Sequence, residues 1–194
     1  MNPLTRTAVG SGLLLMLNIP FIRRMMESDM AYHMLLQFPL ILLAGWLLAR
    51  GLFNQTSIQK WNHAGVTGLL AASMILMFWM IPRALDLVLI NTTLDFLKFL
   101  SLALAGAALA LSWAVAGIIV RGFFLGNVLP MMMVVGWLYV EAPVRLCNSY
   151  LSNDQLRTGS GLLALSIAGI LVWLYAFFMP SKQAGNSEDK VIFT

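Results

Sequence analysis

The chain has 194 residues, 60% of them hydrophobic and 10% charged, with a formal net charge of +4. Soluble domains carry about 25% charged residues, so an ordinary soluble protein is excluded, and the length leaves no room for a soluble domain beside a membrane bundle. The twelve lysines and arginines stand singly or in pairs at the ends of apolar runs, which argues against nucleic acid as a partner.

The first apolar run, Ala8 to Ile22, follows Arg6 and superficially resembles a secretory signal. No small-x-small cleavage site follows it, so it is read as a retained span or anchor. It is short for a crossing and contains Asn18 and Pro20, which suits a tilted or partly interfacial helix stopped at the headgroups by Arg23 and Arg24. The second run, Met30 to Ala49, has membrane length and ends at Arg50. Gly51 to Asn62 is a polar connection rich in turn-formers, and Asn62 is placed to cap a third span from His63 to Ile81, which Pro82 and Arg83 terminate.

Arg83 to Asn91 mixes charge with aliphatic residues and suits a lip or half-buried turn at the interface. Thr92 to Asp95 has the form of a capping box. It opens a fourth helix expected to reach Val120 and to be the longest, ended by Arg121 and Gly122. A fifth span runs from Phe123 to Glu141. Ala142 to Thr158 is a polar loop with a second capping-box pattern at Ser152 to Gln155, and a last span runs from about Ser160 to Met179. The expected fold is therefore an all-α polytopic membrane bundle of five to six helices in one domain, residues 1–180, with a polar tail, 181–194. Helices are required because lipid offers no partner to unpaired backbone groups. Small residues four apart, Gly106, Ala110 and Ala114 on one helix and Ser160, Ala164 and Ala168 on another, predict close-packing faces.

With six crossings, the twelve basic residues divide evenly between the two membrane faces. The face with His33 holds Arg23, Arg24, Arg83, Lys98, Arg145 and Arg157 against as many acids. Orientation by basic count is thus a tie, and the acids around the early arginines favour cytoplasmic termini. The two histidines, His33 and His63, start successive spans at opposite faces. They lie about 25–30 Å apart and cannot share a metal.

Met26, Met30, His33, Met34 and Gln37 recur at helical spacing and form one stripe. Thioether and imidazole are ligands preferred by soft copper ions, so His33, Met30 and Met26 are candidate copper contacts, with further ligands to come from Asp86, Asp95, Glu141 or Cys147. The competing explanation is packing, because the chain has thirteen methionines and methionine fills apolar gaps. The ionisable residues at this end, Arg83, Asp86, Asp95, Lys98 and Glu141, all fall near span ends. Snorkelling and pairing are expected to keep them solvated, with Arg83 and Asp86 as the best pair. No hydrolase, zincin, P-loop or dinucleotide-binding signature is present, and the lone Cys147 gives no disulfide or zinc argument.

His33-Met34-Leu35-Leu36-Gln37-Phe38-Pro39, continuing apolar to Gly45, resembles the histidine-led span of the bacterial CtaG family, membrane proteins associated with copper-dependent assembly of cytochrome c oxidase. The likeness covers about a tenth of the chain. It implies a non-enzymatic accessory or assembly protein of a copper-containing membrane oxidase or monooxygenase in a bacterial inner membrane, with His33 as a copper contact and larger membrane subunits and lipid as partners. The alternative is a purely structural small subunit packing through its small-residue faces. A small-solute transporter is least favoured, for want of mid-membrane polar residues or of a detectable inverted repeat with paired broken helices.

Overall fold

Proline sets the first structural event. In the computed structural model, which describes residues 2–53, 62–142 and 144–178, helix α1 (Pro3–Asn18) stops where Pro20 forces Ile19 out of helical geometry, to φ −59° and ψ 125°. The chain turns by 72° into α2 (Pro20–Glu27). The long helix α3 (Tyr32–Leu52) opens in wide π turns over Tyr32–Gln37. After one 3₁₀ turn, His63–Gly65, α4 (Val66–Trp79) runs to a second bend of 75°. There Pro82 holds Ile81 extended, at φ −73° and ψ 123°, and α5 (Pro82–Ile90) departs. Three long helices complete the described residues: α6 (Thr92–Trp113), α7 (Ile118–Glu141) and α8 (Ser152–Phe178).

All the described regular structure is helical, and four helices, or six if each bent pair counts as one, are long and apolar enough to cross a membrane. The all-α membrane bundle expected from the sequence is therefore what forms. Laterally, α1 packs on α3, α3 on α6, α6 on α4, α4 on α7 and α7 on α8, while α8 returns to touch the start of α3.

The centre is a glycine-mediated crossing of α3 and α6. A Cβ on Gly45 would run into the backbone of Ala103, and a Cβ on Gly106 into the backbone of Leu42. The relation is reciprocal, since 103 − 42 and 106 − 45 both equal 61. The first two crossings thus repeat in the next two: a helix, an Ile-Pro bend, a short helix and a long span, both running in the same direction.

Several expectations are corrected. The fourth long helix ends at Trp113, and Arg121 lies inside α7 over the Trp113 ring. The longest helix is α8. Residues 83–91 form most of helix α5 and its cap, where a turn was expected. Asn91, not Thr92, caps α6, accepting from the Thr93 and Leu94 amides. Gln155 serves no capping box; it bonds Leu146 and Tyr139. Asn62 reaches Gly68 and Ser112. Of the two small-residue stripes, Gly106 and Ala110 are buried but Ala114 is exposed beyond the end of α6. Ser160, Ala164 and Ala168 face outward, and α8 instead buries Gln155, Thr158, Gly159, Leu162 and Ser166. Most of the polar connection after Gly51 and the C-terminal tail fall outside the described residues.

Gly106→Leu should lower stability by about 3 kcal/mol or more, because backbone rather than a movable side chain blocks the new atoms. Gly126→Leu is the control: open space surrounds Gly126, so it should cost nothing. Thermal unfolding of both variants in one detergent makes the comparison.

Candidate functional site

Two short-range spacings assemble a polar cluster inside the bundle. Arg23 and Glu27 are four apart on α2, and Asp95 and Lys98 three apart on α6, so each helix presents one cation and one anion on a single face. The bend at Ile19 brings α2 back against this face. Arg23 Nη1 lies 2.8 Å from Asp95 Oδ2, Lys98 Nζ lies 3.0 Å from Asp95 Oδ1 and 2.7 Å from Glu27 Oε1, and Arg23 Nε lies 3.6 Å from Glu27 Oε2. The four charges alternate around a closed ring and sum to zero. Lys98 is 0% exposed and Asp95 3%. Both were expected to be solvated near a span end; instead they form the polar centre of the bundle.

Helix α3 supplies the other partners of Lys98. His33 Nε2 is 3.3 Å from Nζ, and Gln37 Oε1 accepts from Nζ at 3.4 Å. Between two carboxylates Lys98 is an ammonium and donates to what it meets. His33 Nε2 is therefore the acceptor nitrogen, and Nδ1 carries the ring proton, which it donates to the Tyr150 hydroxyl at 2.6 Å. Gln37 Nε2 is buried without an acceptor among the described residues.

A loop closes over the cluster. Residues 144–151 are fastened by Asp86, whose carboxylate accepts from the amides of Asn148 at 2.9 Å and Ser149 at 3.1 Å. Asp86 is thus engaged with this backbone, and the expected pairing with Arg83 gives way to it. Leu146 N donates to Gln155 Oε1, and Gln155 Nε2 donates in turn to the Tyr139 carbonyl. Cys147 packs beneath, 3.7 Å from the Pro82 carbonyl. Burial, then the nearby Asp86 carboxylate, pushes its thiol up to about 11, so it stays protonated at neutral pH. Burial and then Glu27 likewise push the Tyr150 phenol up, keeping it neutral beside His33.

The predicted stripe is the inward face of this end: Met30, His33, Met34 and Gln37 are buried and Met26 is half-buried. The donor set does not fit copper as it stands. One ring nitrogen of His33 carries a proton, and the lone pair of the other points at an ammonium that would repel a second cation. Met30 is enclosed in the apolar core with Leu17 and Met34. Among the described residues no group of three His, Cys, Asp or Glu side chains gathers for a metal. His63 is exposed at the other end of α4, as the topology required.

Arg23, Glu27, Lys98 and Tyr150 were not among the expected site residues, and Asp95, offered as a further copper ligand, is paired instead with Arg23 and Lys98. The available signal was the balance of charge at this face together with the i,i+4 and i,i+3 spacing of opposite charges. Compared with family models, curated proteins and solved structures, the chain matches none.

Lys98→Met would strand two carboxylates facing one arginine, so it should cost about 3–5 kcal/mol. Gln37→Leu loses a long acceptor contact but also removes an orphaned donor, and these roughly cancel, leaving a change within about 1 kcal/mol. Denaturation of the two variants side by side checks the ranking. Equal losses would show that Lys98 does not hold the cluster together.

Proposed function

We propose that this chain is a non-enzymatic integral membrane protein that accompanies a larger membrane complex, as an assembly protein or a bound accessory subunit. The observation that carries this reading is the uneven covering of its spans. Within their most apolar windows, 33% of α3 and 39% of α6 is buried inside the chain, but only 11% of α7 and 11% of α8. The last two spans leave most of their surface to lipid or to other protein. The outward stripe Ser160, Ala164 and Ala168 on α8 suits close approach by another helix.

The closed charge ring supports the non-enzymatic part. Each carboxylate of the ring is engaged by a cation, and His33 has both ring nitrogens in use, so no general base stands open to a substrate. The CtaG resemblance points to a copper-containing oxidase or monooxygenase of a bacterial inner membrane as the complex served, and the acids around the early arginines favour cytoplasmic termini. In that setting a direct copper contact at His33 would require residues 144–151 to lift and Lys98 to leave Nε2. Copper is better assigned to the partner. The second reading, a purely structural subunit, draws on the same outward stripe and differs in predicting permanent residence in the complex.

Extraction in mild detergent, identification of co-purifying proteins and a metal assay on the same sample test the proposal. A larger membrane subunit should co-purify, and Ala164→Leu with Ala168→Leu should weaken that association at least about ten-fold, the loss of roughly 1.4 kcal/mol of packing. A chain that extracts alone, with the double variant unchanged, overturns it. Copper bound by the isolated chain and lost in His33→Ala would return the metal to His33.

A further inference from the structure

Helices α4 and α6 touch closely at one end and leave a gap at the other, and side-chain size decides which. At the start of α4 a Cβ on Gly68 would meet the Ser112 hydroxyl and one on Gly65 would lie 2.6 Å from the Ser112 carbonyl, so the backbones are in near contact. Toward the Lys98 end the facing residues are large: Met74, Phe78 and Trp79 on α4, Leu97, Leu100 and Leu104 on α6. Between them runs an outward-facing groove of about 430 Å³. Its floor is Trp79, 3% exposed, whose indole N–H donates to Ser101 Oγ at 2.8 Å and so presents no free polar group. Its walls are open, with Met74 64% and Leu104 56% exposed.

A cation, Arg83, follows Trp79 closely in the chain. Where α4 breaks, α5 leaves at 75° with Ala84, Leu85 and Val88 turned inward and Arg83, Leu87 and Ile90 outward. That pattern lays α5 in the interface with an apolar outer edge. Arg83 makes no ion pair among the described residues, because the one acid within a turn of it, Asp86, is committed to the amides of Asn148 and Ser149. Arg83 is four positions beyond Trp79, so their Cα atoms are at most about 14 Å apart. A guanidinium there is within reach of the headgroup of a lipid whose chain lies along Trp79.

We propose that this groove seats an acyl chain of an anionic phospholipid and that Arg83 holds its phosphate. A wedge between two helices, closed at one end by glycine contacts and dry along its floor, accepts a flexible methylene chain entering from the open end. A partner helix, about 10–12 Å across, would need a broad face instead. The guanidinium matches a phosphate in two-pronged geometry, and a headgroup with net negative charge is favoured over one whose own ammonium group would face Arg83. The proposal does not depend on the accessory role.

The test is native mass spectrometry of the full chain released from nanodiscs made with equal phosphatidylglycerol and phosphatidylcholine of identical chains. The wild type should retain one phosphatidylglycerol in roughly ten-fold preference, the worth of a hydrogen bond to a charged group. Arg83→Gln, at an exposed position, should bring the two lipids to parity. Leu100→Trp, which fills the groove from an exposed position, should lose both. Arg24→Gln on α2 should behave as wild type. Equal retention in the wild type, no change in Arg83→Gln, lipid kept by Leu100→Trp, or an equal loss in Arg24→Gln would each overturn the proposal. So would a second copy or another polypeptide retained in place of lipid.

Discussion

A lysine buried at the membrane end of a helical bundle sets the conditions for much of this fold. Lys98 has no exposure, and an unpaired ammonium there would carry a desolvation cost of several kcal/mol. Its neighbours come from its own helix, from α2 and from α3. The bend at Ile19 follows from this need. Had α1 continued straight, Glu27 would stand about 13 Å further along the axis from Asn18, at 1.5 Å per residue, out beyond the start of α6. Turning the chain aside through 72° keeps Arg23 and Glu27 within reach of Asp95 and Lys98. The proline that breaks the helix and the charges that follow it form one device.

The parallel repeat explains where that lysine sits. Gln37 and Lys98 are also 61 positions apart, the offset that relates Gly45 to Gly106, and they meet across the same seam. The two central spans carry an amide and an ammonium at equivalent places, and the glycines below draw the helices close enough for them to touch. Once the backbones are this close, the α3–α6 seam has no room for two cations and no solvent for one. An amide that accepts from the lysine is the compatible partner, and the orphaned second half of that amide is the residual cost.

Much of this was legible in the residues. The spans follow from hydropathy, the stop at Pro82 from its proline, the inward stripe of α3 from its spacing and the separation of the histidines from topology, whereas the 72° bend at Ile19 falls inside a run expected to continue to Ile22. What escaped did so for physical reasons. Thr92 to Asp95 has the residues of a capping box, but Asn91 stands one place earlier with an equally good acceptor, which frees Asp95 to turn inward. The break at residues 114–117 is composed of apolar and small residues, so hydropathy runs straight through it, and Arg121 passed for a terminus when its guanidinium lies 5.5 Å from the centre of the Trp113 ring. Lys98 was judged by its distance from a span end. Burial depends instead on what lies over that end, and the covering elements, α2 and residues 144–151, are local in sequence but remote from Lys98. The repeat was hidden because it is carried by a bend, two glycines and a polar pair, with little identity between.

The charge ring and the lipid-facing surface are consequences of one gradient. Where α4 meets α6, small residues gather toward Gly65 and Ser112, and large ones toward Trp79 and Leu97. The tight end needs few polar groups beyond Asn62 and Ser112. At the wide end the two spans cannot close on each other, so other elements must: α2 and the loop 144–151 cover the inner side over Lys98 and His33, while the outer side over Trp79 is left open. Polar cover on one side and an apolar groove on the other are what a wedge between two helices requires when one face points into protein and the other into hydrocarbon.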